Sequence, residues 1–160
     1  MENPQQQPVS GELGAIMPLI GFMSSHVRFH ISRICSDAGH PLTPEEAGTL
    51  MIIRHFKGLP QTRLAVILGK DKAAVTRLMN ALVKSGLVGR IPDEQDRRVV
   101  RAQITGLGEQ AFIKLWPELT KLSDEALKDI PKQDLEQLSN VLRLINANLA
   151  ALTGKYQSCP

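Results

Sequence analysis

The sequence predicts a mainly α-helical fold with one small β-hairpin. Apolar residues recur at helical spacing through most of the 160 residues. Glycine and proline interrupt these patterns at short intervals, so the chain divides into several separate helices. One stretch, residues 87–105, carries two β-rich runs on either side of a polar turn. The length suits one compact domain, or one domain with an oligomerisation arm.

The first predicted helix runs from Ile16 to Ala38, where apolar residues recur every three or four positions. Pro18 suits the first turn of this helix, because the backbone N–H that proline lacks has no partner there. Gly39 predicts the end of the helix, and Pro41 follows two residues later. The preceding segment, 1–12, is rich in Pro and Gln, and we expect it to be flexible.

The second helix has a clear start at Thr43. Thr43 is a good N-cap residue, Pro44 suits the first helical position, and Glu46 completes a capping box. We expect this helix to continue to about Phe56, after which the glycine and proline within 58–60 predict a turn.

Two further helices with a tight turn between them follow. The first is predicted at Gln61–Leu68, and the second, Lys72–Ser85, starts after Asp71 as N-cap. Gly86 predicts the end of the second helix. Its apolar residues form one stripe at i, i+3, i+4, i+7 and i+8: Val75, Leu78, Met79, Leu82 and Val83.

A hairpin and two long helices complete the chain. The strands are predicted at Leu87–Ile91 and Val99–Thr105, with the polar turn Pro92–Arg98 between them. A helix from Gly106 to Asp129 follows, bent near Pro117, and Pro131 opens the last helix. Apolar positions with spacings of 3, 4, 3, 4 and 3 predict that the last helix packs on other helices: Leu135, Leu138, Leu142, Ile145, Leu149 and Leu152.

The basic residues are concentrated in the centre of the chain. Residues 57–105 hold ten Lys/Arg against four Asp/Glu, a net charge of +6, whereas the whole chain has only +3. Such an asymmetry is typical of a surface that binds a polyanion, most often nucleic acid. A basic solvated face remains the alternative at this point.

Several classes of protein are disfavoured. No Ser-His-Asp pattern, phosphate-binding glycine loop or metal-ligand cluster is recognisable, so we expect no enzyme, cofactor or metal site. Cys35 and Cys159 are far apart and fit no metal-ligand spacing. The first ten residues lack a secretory signal, and no apolar run approaches the length of a membrane span. We therefore expect a cytoplasmic protein.

The helix at 72–85 and the hairpin carry the candidate DNA-binding residues. On the helix face opposite the apolar stripe lie Lys72, Ala73, Thr76, Arg77 and Asn80. Arginine can bond guanine and asparagine can bond adenine, and the N-terminal half of such a helix is the part that enters a major groove. At the hairpin tip, Arg97 and Arg98 can enter a minor groove, and Asp96 can pair with a neighbouring arginine and restrict it. An ordinary polar helix face and a solvated charged turn are the alternatives.

The element order has the form of a winged helix–turn–helix, and the run LGKDKAAVTRLMNALVKSGLVGRIPDEQDRRVVRAQITGLGEQ resembles the MarR family of bacterial transcription regulators. The matching motifs are the VTRL of the recognition helix, the D-x-x-D-R-R wing and the Thr105-x-x-Gly108 that starts the next helix. The resemblance implies that the wing arginines reach the minor groove and that Arg90 leads to the wing. It also places Gln61, Thr62 and Lys70 at the DNA backbone. Many relatives have hydroxyl residues where this chain has Ala73 and Ala74, so the operator sequence does not carry over.

The resemblance further implies a homodimer on a pseudo-palindromic double-stranded DNA site, and most often a repressor. The helices of 13–38 and 106–152 would form the dimerisation region, 39–105 the winged domain and 153–160 a loose tail. The expected dimer contacts agree with the apolar seam of the last helix: Ile16, Ile20, Leu138, Leu142, Ile145 and Leu149. An architectural or protein-binding winged-helix module is a second interpretation, which a test of DNA sequence specificity would separate from the first.

Many relatives release DNA on binding a small aromatic or phenolic anion between the dimer helices and the winged domain. Candidate residues for such a pocket are His26, His30, Arg33, Arg54 and His55. Each is equally compatible with a surface or satisfied polar residue. Some relatives instead sense oxidants through a cysteine. Cys35 is the candidate here, but it lies near the end of the first helix rather than its start, which favours a structural role.

Overall fold

The computed structural model describes residues 14–40 and 42–153. The predicted flexible segment 1–12, the residues Pro41 and Cys159, and positions 154–160 of the predicted tail lie outside these ranges. Along the described chain the elements are α1 (Ile16–Asp37), α2 (Pro44–Phe56), β1 (Leu59–Pro60), α3 (Gln61–Leu68), α4 (Lys72–Lys84), β2 (Val88–Pro92), β3 (Val100–Ile104), α5 (Gly106–Ala126) and α6 (Lys132–Thr153). The prediction of a mainly helical fold with a small sheet is confirmed.

Side-chain caps fix the starts of three helices. The capping box at α2 is confirmed, since Thr43 Oγ1 accepts from the Glu46 backbone N–H and Glu46 Oε2 accepts from the Thr43 N–H. Asp71 caps α4 by accepting from the Ala74 N–H at 2.7 Å. Thr105 caps α5 in the same way, with 3.0 Å to the Gly108 N–H. These local contacts explain why the predicted starts of α2, α4 and α5 coincide with the observed ones.

The sheet has three antiparallel strands in the order β1-β3-β2. β2 pairs with β3 from Val88↔Ile104 to Pro92↔Val100. β2 begins and ends one residue later than predicted, and β3 is one residue shorter at each end than predicted. Leu59 pairs with Ala102, and Pro60 with Arg101. The prediction of a simple turn at 58–60 is therefore wrong in its last two residues. A strand of two residues has no alternation for a sequence pattern to reveal.

The hydrophobic core lies between α2, α4 and the sheet. Leu50 and Ile53 of α2, Met79 and Leu82 of α4, and Val88 of β2 are almost completely buried. Removing each such side chain from water stabilises the fold by roughly 1.5–3 kcal/mol. α3, α5 and the end of α1 contribute further residues to the same cluster. The core thus fixes α4 and the base of the hairpin as parts of one unit.

α5 ends earlier than predicted, and α6 lies mostly outside the core cluster. α5 ends at Ala126, three residues before the predicted end, and Asp129 beyond it has the left-handed φ of 61°. α5 continues through Pro117. The bend near Pro117 stays a prediction. Most residues of α6 are exposed, including Leu138 and Leu149, although Ala150 is buried. In the described residues no helix is both long and apolar enough to cross a membrane.

Candidate nucleic-acid interface

The recognition helix α4 separates its faces as its sequence predicts. Val75, Leu78, Met79 and Leu82 are buried against the rest of the domain. The candidate DNA-contacting residues are all exposed on the other side: Lys72, Ala73, Thr76, Arg77 and Asn80. The apolar stripe therefore fixes the rotation of the helix, and this rotation turns the polar side chains to solvent.

Hydrogen bonds within α4 limit what two of these side chains offer to a ligand. The Thr76 hydroxyl donates to the Lys72 carbonyl at 2.7 Å, so its proton is already used. Its oxygen remains free to accept, and its methyl group is available for an apolar contact. Asn80 Oδ1 accepts from Arg90 Nη2 at 2.6 Å, which leaves the amide NH₂ of Asn80 as a donor.

The Asn80–Arg90 hydrogen bond also joins the recognition helix to strand β2. Arg90 was predicted as a residue of the strand leading to the wing. In the structure its guanidinium connects the two elements that carry candidate DNA contacts. This contact is between residues ten positions apart, and the sequence pattern alone contains no signal for it.

The wing tip presents Arg97 and Arg98 to solvent. Asp96 was predicted to pair with an arginine side chain, but its carboxylate instead accepts from the Arg98 backbone N–H at 3.0 Å. The Asp96 carbonyl accepts from the Val99 N–H at 2.8 Å. The reason is local, because the short side chain of an aspartate readily accepts hydrogen bonds from backbone amides one or two residues ahead. These contacts are favoured over a contact with a long, mobile arginine side chain. Asp96 thus fixes the loop backbone and leaves both guanidinium groups exposed.

Asp93 is the wing residue that sequence reasoning missed. Its side chain is 8% exposed, and its Oδ1 accepts from the Gln95 N–H at 2.8 Å and from the Asp96 N–H at 2.9 Å. Its Oδ2 pairs with Arg101 Nε. The backbone hydrogen bonds from Asp96 and Gln95, together with Arg101, hold the pKa of Asp93 below its ordinary value. An aspartate at the start of a polar turn is the signal that could have identified it.

The residues assigned to the DNA backbone are in three different states. Thr62 is exposed in the first turn of α3. Gln61 is partly buried, and its Nε2 has no hydrogen-bond partner within the described part of the chain. Lys70 Nζ lies 3.1 Å from Glu45 Oε1, and the same oxygen lies 3.8 Å from Arg28 Nη1. Lys70 therefore forms an ion pair with Glu45 of α2, and the sequence did not indicate this contact.

Comparison with known proteins agrees with this arrangement. The model of a family described as MarR family matches residues 42–100. The chain is 26% identical over 168 aligned residues, 88% of the chain and 99% of the relative, to a proposed transcriptional regulatory protein for the hcr operon of Thauera aromatica. Residues 42–100 thus carry a MarR-family domain. The family match and the related regulators together support a regulator of transcription that binds DNA.

Solved structures show the same fold. Sco3205, a MarR-family regulator of Streptomyces coelicolor in complex with DNA, superposes with a TM-score of 0.80 at 16% identity, covering 92% of this chain and 93% of that one. CouR of Rhodococcus jostii RHA1, bound to p-coumaroyl-CoA, superposes with a TM-score of 0.68 at 20% identity, covering 88% and 95%. Both likenesses concern the fold.

The residues proposed for an effector pocket do not share one environment. His26, His30, Arg33 and His55 are exposed. Arg54 is partly buried: its Nε lies 2.9 Å from Glu109 Oε2, and its guanidinium stacks over the Phe112 ring with 3.9 Å to the centroid. Phe112 in turn stacks on Trp116, with 5.3 Å between the ring centroids. The aromatic residues of α5 beside Arg54 were not identified from the sequence.

Cys35 is completely buried in the core cluster. Burial raises the pKa of its thiol, and the nearby Glu46 carboxylate raises it further. The reactive thiolate is therefore disfavoured, and an oxidant has no open path to the sulfur. Both facts favour a structural role for Cys35. Within residues 14–40 and 42–153, no group of three or more His, Cys, Asp or Glu is placed to hold a metal ion.

Proposed function

We propose that this MarR-family regulator is a homodimeric repressor that binds a pseudo-palindromic double-stranded DNA site and is released by a small aromatic or phenolic ligand. The observation that carries the proposal is the presence of two exposed basic elements on one domain with a common core. α4 exposes Lys72 and Arg77 on its N-terminal half, and the wing exposes Arg97 and Arg98. The net charge of +6 over residues 57–105 favours a polyanionic partner for this surface.

The dimensions of α4 suit the major groove of B-DNA. An α-helix fits a groove about 12 Å wide, and its first residues approach the base edges. Arg77 can donate two hydrogen bonds to guanine, whereas Lys72 near the helix start can hold a phosphate. Ala73 offers only a methyl group, which suits contact with the methyl group of thymine. The likeness in fold to Sco3205 in complex with DNA supports this assignment.

The wing suits the minor groove next to the half-site that α4 reads. A narrow minor groove has an enhanced negative potential, which attracts guanidinium groups. Because Asp96 bonds to the backbone of Arg98 rather than to a side chain, both wing arginines keep their charge available. The wing would thus add affinity and a preference for groove shape to the base contacts of α4.

The terminal helices support a dimer. Exposed apolar side chains are numerous on α1 and α6, among them Ile16, Phe22, Leu138 and Leu149. A surface of this kind on a regulator is typical of an interface between subunits. A two-fold dimer would place two copies of α4 on half-sites roughly 34–36 Å apart, about one turn of DNA. Occupation of a promoter by such a dimer would repress transcription by steric exclusion of polymerase.

Arg54 and the aromatic residues of α5 support an aromatic anionic ligand. A guanidinium that already stacks on Phe112 can bind a carboxylate or phenolate, while ring faces such as that of Trp116 pack against an aromatic ligand. CouR, which has the same fold, is bound to p-coumaroyl-CoA, an acyl thioester of a phenolic acid. We therefore assign the effector site to the region around Arg54.

A selection from random double-stranded DNA tests the DNA part of the proposal. We expect one enriched inverted repeat, bound with an affinity that falls steeply as salt is raised. Arg98→Ala should then weaken binding to that site roughly tenfold, because one charge-assisted contact is lost. Lys121→Ala, which removes the same charge from the exposed surface of α5, is the matched control and should leave affinity unchanged. Selection without an enriched repeat would refute sequence-specific regulation.

Ligand-induced dissociation of the protein from its DNA site tests the ligand part of the proposal. Preformed complexes would be titrated with p-coumarate, p-coumaroyl-CoA and benzoate, and the remaining DNA complex measured by fluorescence anisotropy. Dissociation by at least one of them that is lost in Arg54→Met, with DNA affinity intact, is the expected result. Analytical ultracentrifugation tests the dimer part of the proposal. In the same buffer the parent chain should sediment as a dimer and Leu142→Asp as a monomer. A monomeric parent chain would contradict the homodimer.

A further inference from the structure

We propose that Asp93, although acidic, increases the affinity for DNA by acting with Arg101 to hold the wing loop in the shape that presents Arg97 and Arg98. This inference rests on the proposed function, since it assumes that the wing contacts DNA. It assigns a positioning role to two residues that do not themselves need to touch the DNA. It also predicts the opposite sign to the usual effect of removing an acidic residue beside a polyanion.

Both carboxylate oxygens of Asp93 are engaged. Oδ1 accepts from two consecutive backbone amides, those of Gln95 at 2.8 Å and Asp96 at 2.9 Å. Oδ2 accepts from the Nε of Arg101. Two amides that point at one oxygen fix the direction of the backbone immediately before Arg97. The side chain of Asp93 therefore determines how the chain enters the wing tip.

Arg101 connects this carboxylate to the body of the domain. Its Nη1 donates to the Gly58 carbonyl at 2.8 Å, at the turn between α2 and β1. Gly58 is buried and has a φ of 97°, a conformation that suits glycine and that an L side chain rarely adopts. On β3, Arg101 is paired with Pro60 of β1 on one side and with Ile91 of β2 on the other. A continuous path of contacts thus runs from the Gly58 turn through Arg101 and Asp93 to the wing loop.

Further backbone contacts close the loop around the two arginines. The Asp93 N–H donates to the Val99 carbonyl at 2.9 Å, and the Val99 N–H donates to the Asp96 carbonyl at 2.8 Å. Asp96 Oδ1 accepts from the Arg98 N–H at 3.0 Å. Residues 93–99 therefore have a defined shape before DNA arrives, and less conformational freedom is lost on binding. Neutralising the Asp93 carboxylate would weaken its hydrogen bonds with two of these amides and remove the charge that holds Arg101.

The charge of Asp93 does little to repel DNA in this arrangement. Its side chain is only 8% exposed, and the Arg101 guanidinium compensates its negative charge at contact distance. Glu94, the next residue, is exposed at the edge of the wing, so its charge is more accessible to DNA than that of Asp93. The two acidic residues differ by one position in sequence, yet we expect opposite effects on DNA binding when each is neutralised.

The experiment compares Asp93→Asn with Glu94→Gln on the selected DNA site at fixed salt. Both changes remove one negative charge. We expect Asp93→Asn to weaken binding roughly tenfold, the scale of one lost charge-assisted contact, and Glu94→Gln to leave it unchanged or up to about threefold tighter. Arg101→Lys, which keeps the net charge but loses the two-pronged geometry of the guanidinium, should weaken binding in the same way as Asp93→Asn.

A double-mutant cycle separates positioning from general destabilisation. If Asp93 acts through the wing arginines, Arg98→Ala should cost about tenfold in the parent chain but less than about threefold in Asp93→Asn. A merely structural role would leave the two losses independent. Thermal unfolding of each variant shows whether it is folded at the temperature of measurement, and Arg101→Lys allows the same cycle if Asp93→Asn does not fold.

The outcomes distinguish this inference from the proposed function. Equal or tighter binding of Asp93→Asn relative to the parent chain overturns the positioning role, and so does an undiminished Arg98→Ala penalty in the Asp93→Asn background. In both cases DNA recognition by α4 and the wing would stand. If Arg98→Ala has no effect even in the parent chain, the wing does not contribute to binding. The proposed wing contact then fails, and the inference fails with it.

Discussion

The recognition helix and the wing are both exposed on their functional side, but different forces hold them in place. α4 is fixed by burial of Val75, Leu78, Met79 and Leu82 in the core. The wing has apolar anchoring only at its base, where Val88 and Ala102 are buried, whereas Ile91 and Val100 nearer the tip are 38% exposed. Nearer the tip, the hydrogen bonds around Asp93 hold the loop in place. One element is positioned by packing and the other by polar contacts.

This difference suits the tasks that we propose for the two elements. Apolar burial is strong and non-directional, and it holds a whole helix at a constant distance from the core. Hydrogen bonds are directional and individually weaker, so they determine the shape of a loop that is too small to have a core. The Asn80–Arg90 hydrogen bond joins the two elements and limits their relative movement.

The largest effect is expected from weakening the packing under α4. Met79 is completely buried, so Met79→Ala removes its contacts with the core and leaves a cavity. We expect a loss of roughly 2–5 kcal/mol in the free energy of unfolding, measured by urea denaturation. The exposed Arg77→Ala on the opposite face is the control and should change stability by less than about 0.5 kcal/mol. A loss under about 1 kcal/mol for Met79→Ala would contradict apolar burial as the force that holds α4.

A smaller effect is expected from the start of α4, where one polar contact supplements the packing. Asp71→Ala removes the acceptor of the Ala74 N–H and should cost about 1 kcal/mol of stability. Asp71→Asn keeps an acceptor at the same position and should cost clearly less. Thermal unfolding of the two variants side by side measures the difference. Equal stability of Asp71→Ala and Asp71→Asn would show that the cap contributes nothing beyond the loss of charge.

The same contrast explains how much could be predicted from the sequence. Helix bounds and the exposed face of α4 depend on contacts within about four residues, such as the Thr43 and Asp71 caps. Such local contacts leave patterns that can be recognised in the sequence. The wing arginines could be located because they follow a family motif at a polar turn. Local regularity thus predicted most of the fold and the candidate DNA-contacting residues.

What the sequence did not predict depends on pairing between distant positions. Arg101 reaches back 43 residues to the Gly58 carbonyl, and Lys70 reaches 25 residues to Glu45. Neither pair leaves a periodic pattern, and each of these charged residues by itself is equally compatible with a solvated surface. β1 escaped prediction for a related reason, since its two residues are defined only by their partners on β3.

The smallest effect is expected from lowering the pH, which should weaken the polar contacts of Asp93 but not the packing under α4. The pKa of Asp93 is lowered by the backbone N–H groups of Asp96 and Gln95 and by Arg101, so the folded chain binds this proton less readily than the unfolded chain. The stabilisation from the Asp93 carboxylate is therefore complete above the unfolded pKa of about 3.9, and it is lost as the pH falls through the lower folded value. Burial of Met79 involves no proton and should not change with pH in this way.

Urea denaturation at a series of pH values from about 7 to about 2.5 would measure both contributions as differences from the parent chain. The stability difference between the parent chain and Asp93→Asn should be constant down to about pH 4 and then shrink, because the protonated carboxyl no longer carries the charge that attracts Arg101 and the two amides. The corresponding difference for Met79→Ala should stay constant over the range in which both proteins fold. A difference for Asp93→Asn that already shrinks between pH 7 and 5 would mean that its pKa is raised, and the wing loop would then not be held by a fully charged carboxylate.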